Sequence, residues 1–285
     1  MRLRICFLFF LFACTINLYA QLSATDYKSS QYLRFKASKT YVVKTGDKDF
    51  DDAMAEALND CWKITPFEFI DQDQFKKMID DKDVTFLVVM TNTMSESNWG
   101  IQSEILGLIS GGKRKISLYD LKDMLAYASI EHFKDQPGTG YSAPQIKNML
   151  QCLVNTMDIV EKNDIRGDDI KMMKRLTLYY KTQAYKIKDR VLLINKGTIE
   201  KHIDENEFTN IYPYKFEYCT QQKIDDAIRN KDKNYYYLKV TALGFLDLFV
   251  FDPASGEVVY GDLLFDTRKV KEKHIKDMVD VIGRK

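Results

Sequence analysis

The sequence predicts an α/β protein made of two copies of one unit, and three observations carry that prediction. Short patterns recur in the same order in both halves of the chain. Apolar residues repeat at helical spacing between short β-rich runs. Turn residues punctuate the runs where the chain must reverse. Each unit reads as β-α-β-α-β followed by a hairpin, a small sheet with two helices that can cover one face, and an α+β arrangement is the alternative. The expected boundaries are 35–120 for the first copy, 121–189 for a helical connector, 190–265 for the second copy and 266–285 for a C-terminal helix.

In the first strands, Thr40-Tyr-Val-Val-Lys-Thr-Gly46 matches Val191-Leu-Leu-Ile-Asn-Lys-Gly197. Helix one of the first copy spans Asp49 to Trp62, with Phe50, Met54, Ala57, Leu58 and Cys61 on one apolar stripe. Its counterpart is Glu205 to Tyr212, capped by Asp204 and facing inward with Phe208, Ile211 and Tyr212. The gap from Gly to Pro is four residues shorter in the second copy, which suggests a helix one turn shorter.

Second strands follow, where Pro66-Phe-Glu-Phe69 matches Pro213-Tyr-Lys-Phe216. Second helices start after Asp71 and Thr220, with Phe75/Met78/Ile79 and Ile224/Ala227/Ile228 as apolar faces. Third strands are Thr85–Thr91 and Asn234–Thr241, with Phe86-Leu87 matching Tyr235-Tyr236. The closing hairpins are expected at Glu104–Ile109 with Lys115–Leu118, and at Leu246–Phe251 with Glu257–Tyr260.

Leu118 to Phe133 is expected to be helical. After the Asp135–Gly140 loop, Ser142-Ala-Pro144 opens a long helix with Ile146, Met149, Leu150, Leu153, Val154, Met157 and Val160 on its core face. A final helix covers Val270 to Ile282. Residues 21–34 are polar and predict a flexible N-terminal segment.

Residues 1–20 read as a secretory signal: Arg2 and Arg4, an apolar run from Ile5 to Cys14, then Leu18-Tyr19-Ala20 as the cleavage site. The run is half the length of roughly 20 residues needed to span a bilayer, so no transmembrane helix is expected in the mature chain. Leu11-Phe-Ala-Cys14 offers a lipid anchor at Cys14 as the alternative, although Phe12 is bulkier than a lipobox favours. The expected location is periplasmic or extracellular, including association with the outer membrane. Without Arg2 and Arg4 the chain has 40 basic and 41 acidic residues, which gives no reason to expect nucleic acid or an anionic membrane as partner.

No catalytic residue, cofactor-binding residue or metal ligand emerges. Asp47-Lys-Asp49-Phe-Asp51-Asp52 alternates like an EF-hand, yet Asp52 stands where Gly is required and Leu58 where the bidentate Glu belongs. These acids instead suit the first turn of a helix. Gly111-Gly-Lys113 and Gly138-Thr-Gly140 fit no phosphate loop. His132, His202 and His274 stand apart from one another, and Cys61, Cys152 and Cys219 read as core thiols. Tyr235-Tyr-Tyr237, Phe245, Phe249 and Phe251 make the second copy aromatic, as core or as a recognition surface.

The stretches Ala57-Leu58-x-x-x-Trp62-Lys-x-Thr-Pro-Phe-Glu-Phe69, Ile211-Tyr-Pro-Tyr-Lys-Phe216 and Lys231-Asp-x-x-Tyr-Tyr-Tyr-Leu238 resemble uncharacterised secreted and envelope proteins of Bacteroides-type bacteria. That resemblance implies the duplicated α/β unit and no activity. The expected role is a non-enzymatic interaction protein whose partner is a protein or a cell-envelope component. The alternatives are a hydrolase-like enzyme with its site between the repeats, or a small-ligand carrier using the aromatic second copy.

Overall fold

The computed structural model describes residues 22–92, 102–118, 123–132, 142–167, 169–199, 202–242, 246–264 and 269–284. The signal segment 1–20, Cys14 and the 135–140 loop lie outside them.

The first copy contains β2 (Thr40–Val43), α2 (Lys48–Cys61), β3 (Phe67–Ile70), α3 (Gln72–Met78), β4 (Thr85–Asn92), β5 (Gln102–Ser110) and β6 (Met124–His132). A short β1 (Leu22–Ala24) pairs with β6 and completes a sheet of order β1-β6-β5-β4-β2-β3. The second copy contains β7 (Val191–Asn195), α6 (Lys196–Ile199), α7 (Glu205–Ile211), β8 (Phe216–Cys219), α8 (Gln221–Arg229), β9 (Tyr235–Ala242), β10 (Leu246–Phe251) and β11 (Val258–Leu264), in the order β11-β10-β9-β7-β8. Setting β1 aside, the two sheets have one topology. The first three strands of each copy are parallel, and the last two join antiparallel. The duplication is therefore real at the level of fold.

The register between the copies differs from the sequence match. Thr40 N donates to Pro66 O and Leu192 N to Lys215 O, and the ladders pair Thr40 with Phe67 and Leu192 with Phe216. Phe67-Glu-Phe-Ile70 thus corresponds to Phe216-Glu-Tyr-Cys219, two residues from the predicted match on Pro213. The first-strand match is off by one, which would turn every side chain to the wrong face. The helices that follow β3 and β8 are matched as predicted, from Asp71 and Thr220. Asp71 accepts from Asp73 N and Gln74 N in a capping box, whereas Thr220 makes no side-chain cap bond. Helix α7 has 7 residues against 14 in α2, so it is shortened by about two turns and not one, with α6 occupying part of the crossover.

Two helices do not cover one face. The chain crosses from β2 outward to β3, then back past β2 to β4, and right-handed crossovers in opposite directions place their helices on opposite faces. Phe50, Met54, Ala57 and Leu58 of α2 join Val42, Leu87 and Leu106 in one core, while Phe75 of α3 and Ile79 at its C-terminal cap join Val43, Phe86 and Val88 in another.

Three further expectations are corrected. Within the expected Leu118–Phe133 helix, Met124–His132 is a strand, β6, and Ile116–Leu118 is a 3-10 turn instead of a strand. Met, Leu and Ala are good helix formers, but pairing with β5 overrides local preference here. Residues 21–34 hold β1 and the start of α1 (Ser30–Ala37), capped by Ser29, with Tyr32 and Phe35 buried. The expected 121–189 connector accordingly includes a strand of the first sheet. Its helices are α4 (Ala143–Lys162) and α5 (Asp169–Gln183).

Helix α4 lies between the two sheets. Ile146, Leu150, Leu153, Met157 and Val160 share a continuous core with Leu87 and Leu125 of the first sheet and Leu193, Tyr237 and Phe249 of the second. The outer face of the second sheet is covered by α7 and the C-terminal α9 (Glu272–Gly283), with Phe208, Tyr212, Ile275, Met278 and Ile282 buried against it. The layers run α3, first sheet, α4 with its neighbours, second sheet, then α7 and α9. No described helix is long and apolar enough to cross a membrane.

Candidate functional site

Open α/β sheets bind ligands outside the carboxyl ends of their strands, where successive crossovers leave in opposite directions. Each copy has such a point, at β2/β3 and at β7/β8. In the first, the loop after β2 folds around its own acid: Thr45 N and Oγ1 both donate to Asp51 Oδ1 at 2.9 Å, and Gly46 N donates to Oδ2 at 3.2 Å. Gly46 has φ +90°, which lets these donors converge. Gln72 Nε2 closes the loop from the other side with a 2.8 Å bond to Lys44 O. An anion arriving there would compete with Asp51 for the same donors.

The acidic run is consumed in the same way. Asp47 caps α2 by accepting from Asp49 N and Phe50 N, and Asp52 pairs with Lys48. Among the described residues, no group of three or more His, Cys, Asp or Glu side chains is gathered as a metal would need.

At the second point an oriented relay of amides replaces the carboxylate. Asn195 Oδ1 accepts from Thr198 N at 3.3 Å, and its Nδ2 donates to Gln221 Oε1 at 2.9 Å. Gln221 Nε2 then donates to Asp225 Oδ1 at 2.9 Å, where Gln145 Nε2 of α4 also donates at 3.2 Å. Asp225 is buried, and these bonds offset part of its desolvation. Gln221 corresponds to Gln72, so both copies use a glutamine at the start of the second helix to brace the first strand's exit.

Between the copies, where a cleft was expected under the enzymatic alternative, described side chains of α4 pack against both sheets. Asn148, Cys152 and Thr156 recur every four residues on α4 and are all buried. Asn148 Nδ2 donates to Asp252 O and Pro253 O, at 3.3 and 3.2 Å, and its Oδ1 accepts from Tyr237 OH at 2.7 Å. Gly256, at φ +69°, brings the β10–β11 turn against the α4 backbone: a Cβ there would stand 2.6 Å from Gln151 Cβ and 2.7 Å from Asn148 O. Arg190 pairs with Asp252 at 3.0 Å and stacks on Tyr236 at 4.5 Å. The first copy meets α4 more simply, through α2 packing and a Lys147–Asp60 ion pair.

The three cysteines, His274 and Gly111-Gly112 sit in packed or hydrogen-bonded positions. Cys152 is buried, and burial pushes its thiol up to about 12. Burial likewise raises Cys61 and Cys219 to about 11 each, so all three hold their protons near neutral pH, where only a thiolate is nucleophilic. His274 Nδ1 accepts from Lys271 N at 3.0 Å at the start of α9. His202 lies in the turn before α7, and His132 ends β6. Gly111 and Gly112 form a turn bonded to Val84 O and Ile79 O, with Gly111 pressed on the Asp81 carbonyl. Gly138 and Gly140 lie outside the described residues.

Tyr236, Tyr237, Phe249 and Phe251 are core, with Tyr237 and Phe251 stacked at 5.3 Å. Tyr235 is half-buried under Lys223, and Phe245 lies outside the described residues. Sequence reasoning did not single out Asn148, Asp225, Arg190 and Asp252. For Asn148 a signal existed: small polar residues every four positions beside an apolar stripe indicate a helix buried on two sides.

Fold and side chains together define a duplicated, doubly wound α/β protein whose strand-end positions are filled from within. No family model, curated protein or solved structure matches the chain.

Proposed function

We propose that the chain is an exported, non-enzymatic binding protein of the cell envelope or extracellular space, acting through its outer surfaces. The observation that supports this reading is the packing of the described residues at the strand ends and between the copies. Both strand-end points are occupied by the protein's own side chains, and the layer between the copies is continuous core. A hydrolase between the repeats would need an open cleft with converging acid and base groups. A carrier in the second copy would need its aromatic side chains to line a cavity, yet four of them are packed in core.

The export reading rests on Arg2, Arg4, the Ile5–Cys14 run and Ala20. The test joins cell fractionation with crosslinking in intact cells. Expected are a mature chain starting at Gln21 outside the cytoplasm and one crosslinked partner at constant stoichiometry. A cytoplasmic, unprocessed chain would overturn the export reading. Turnover of an envelope substrate by the purified protein would overturn the non-enzymatic one.

A further inference from the structure

We propose that the face formed by the first half of α5, the 164–167 turn and Tyr27–Lys28 docks on an anionic phospholipid surface. Residues 169–190 contain seven Lys or Arg against two Asp, and five of those cations divide by the direction they face. Lys181, Lys186 and Arg190 each meet an acid of the second sheet or its hairpin turn: Asp262 at 2.6 Å, Glu257 at 2.8 Å and Asp252 at 3.0 Å. Lys174 and Arg175 are exposed and have no carboxylate partner among the described residues. Charge on these five is thus matched where the segment faces the protein, while Lys174 and Arg175 carry theirs outward.

Contacts make the patch continuous. The Arg175 guanidinium donates to Arg166 O, Arg166 lies 5.8 Å from the centre of the Tyr27 ring, and Lys28 lies 5.4 Å from the same ring. Asp164 is shared by Tyr27 OH, Arg166 and Lys28, and Asp26 accepts from Lys28 N, so among the described side chains of the patch Lys28, Arg166, Lys174 and Arg175 stand with Asp26 and Asp164. Leu178, about one turn beyond Lys174 and Arg175, is 65 % exposed; with Leu33 it is one of two large apolar side chains so exposed among the described residues.

Cations flanking a half-buried tyrosine, with an exposed aliphatic side chain one helical turn from two of them, suit a surface that is anionic outside and apolar just beneath, as lipid headgroups are. A soluble acidic chain would use the cations and leave Leu178 in water. The near-neutral total charge hides this local arrangement.

The test is flotation of the purified full chain with phosphatidylglycerol vesicles, and with phosphatidylcholine vesicles alongside. The same is done for Lys174→Glu/Arg175→Glu and for Leu178→Ser, which change exposed side chains. Expected is salt-sensitive binding to phosphatidylglycerol alone, reduced at least about tenfold by the charge reversal and less by Leu178→Ser. Should the charge variant misfold by circular dichroism, Lys174→Gln and Leu178→Ser decide the matter by the same readout. Three results would overturn the inference: no binding to phosphatidylglycerol, equal binding to both lipids, or unchanged binding by correctly folded variants. Binding to soluble polyglutamate without binding to vesicles would assign the patch to acidic protein and also overturn it. None of these results bears on the crosslinked partner, so the two readings stand or fall separately.

Discussion

The two copies share a topology and use it inside out with respect to each other. The first turns its α2 face toward the centre and leaves α3 outside; the second turns α8 inward and leaves α7 outside under α9. Two copies related by a two-fold axis would present the same face to each other, so this junction is heterologous, joining unlike surfaces. The junctions also differ in chemistry. Copy one meets α4 through a 14-residue amphipathic helix and an ion pair, while copy two meets it through Asn148, Asp225 and the close approach at Gly256. A duplicated unit can therefore keep its strand order while its faces diverge, because the core side chains of each face are renewed independently.

The largest effect that would break this comparison is at Gly256. Gly256→Val forces a side chain into the α4 backbone at a positive φ, and we expect a loss of about 3 kcal/mol or more in urea unfolding. Gly46→Ala also meets a positive φ but has nothing within 4 Å of the added Cβ, and should cost only about 1 kcal/mol. Equal losses at the two sites would show that backbone strain, not docking on α4, sets the cost.

Next come Leu58→Ala and Phe208→Ala, at corresponding helix positions that face the shared centre and the outer layer respectively. Each should cost about 2–5 kcal/mol. Amide exchange distinguishes them: Leu58→Ala should lower protection in both sheets and in α4, whereas Phe208→Ala should act first on α7, β8 and α9. Exchange confined to the first copy in Leu58→Ala would mean that α4 does not couple the copies.

Tyrosine hydroxyls give a smaller contrast with opposite signs. Tyr237→Phe leaves Asn148 Oδ1 without its donor in the buried layer and should destabilise by about 1–3 kcal/mol. The Tyr212 and Tyr260 hydroxyls are buried without a hydrogen-bond partner among the described residues, so Tyr212→Phe and Tyr260→Phe should stabilise by up to about 1 kcal/mol each. Thermal melts on the three variants check both the order and the signs.

The smallest effect is alkaline. The thiols are raised from 9.0 to about 11, 12 and 11 for Cys61, Cys152 and Cys219, so the unfolded chain releases these protons at lower pH than the folded one. Their contribution is fully present below pH 9.0 and is lost as pH climbs toward 11 to 12. Below pH 9, Cys152 should react with a thiol reagent only on unfolding. Prompt labelling of Cys152 in the native protein would show that α4 leaves its place between the sheets.

Much of the fold was legible where local rules and burial agree. The α2 stripe of Phe50, Met54, Ala57 and Leu58 is buried as its spacing requires, and Asp47, Asp71, Asp204 and Ser142 mark helix starts by side-chain bonds. The strand Leu246–Phe251 has the predicted ends, bounded by the Asp252–Gly256 turn. The acids at Asp47–Asp52 were read as helix-start residues, and they act on the first turn and the loop before it. The closing of the strand ends was not legible, since nothing local says that Asp51 turns back on Thr45 and Gly46 or that Asn195 reaches Gln221.

By itself the sequence determined that the chain is α/β, that one unit occurs twice, and that its helices are amphipathic with defined starts. These follow from periodicity and capping, which act over a few residues. Only the tertiary structure decided that Met124–His132 is a strand, that the copies correspond in a shifted register, and which face of each sheet looks inward. Both faces of each sheet are apolar, so the alternation along a strand shows that two faces exist and not which one meets α4. That choice belongs to the partners packed across the layer, from α2 and α8 to Asn148 and Gly256, which are far apart in the chain.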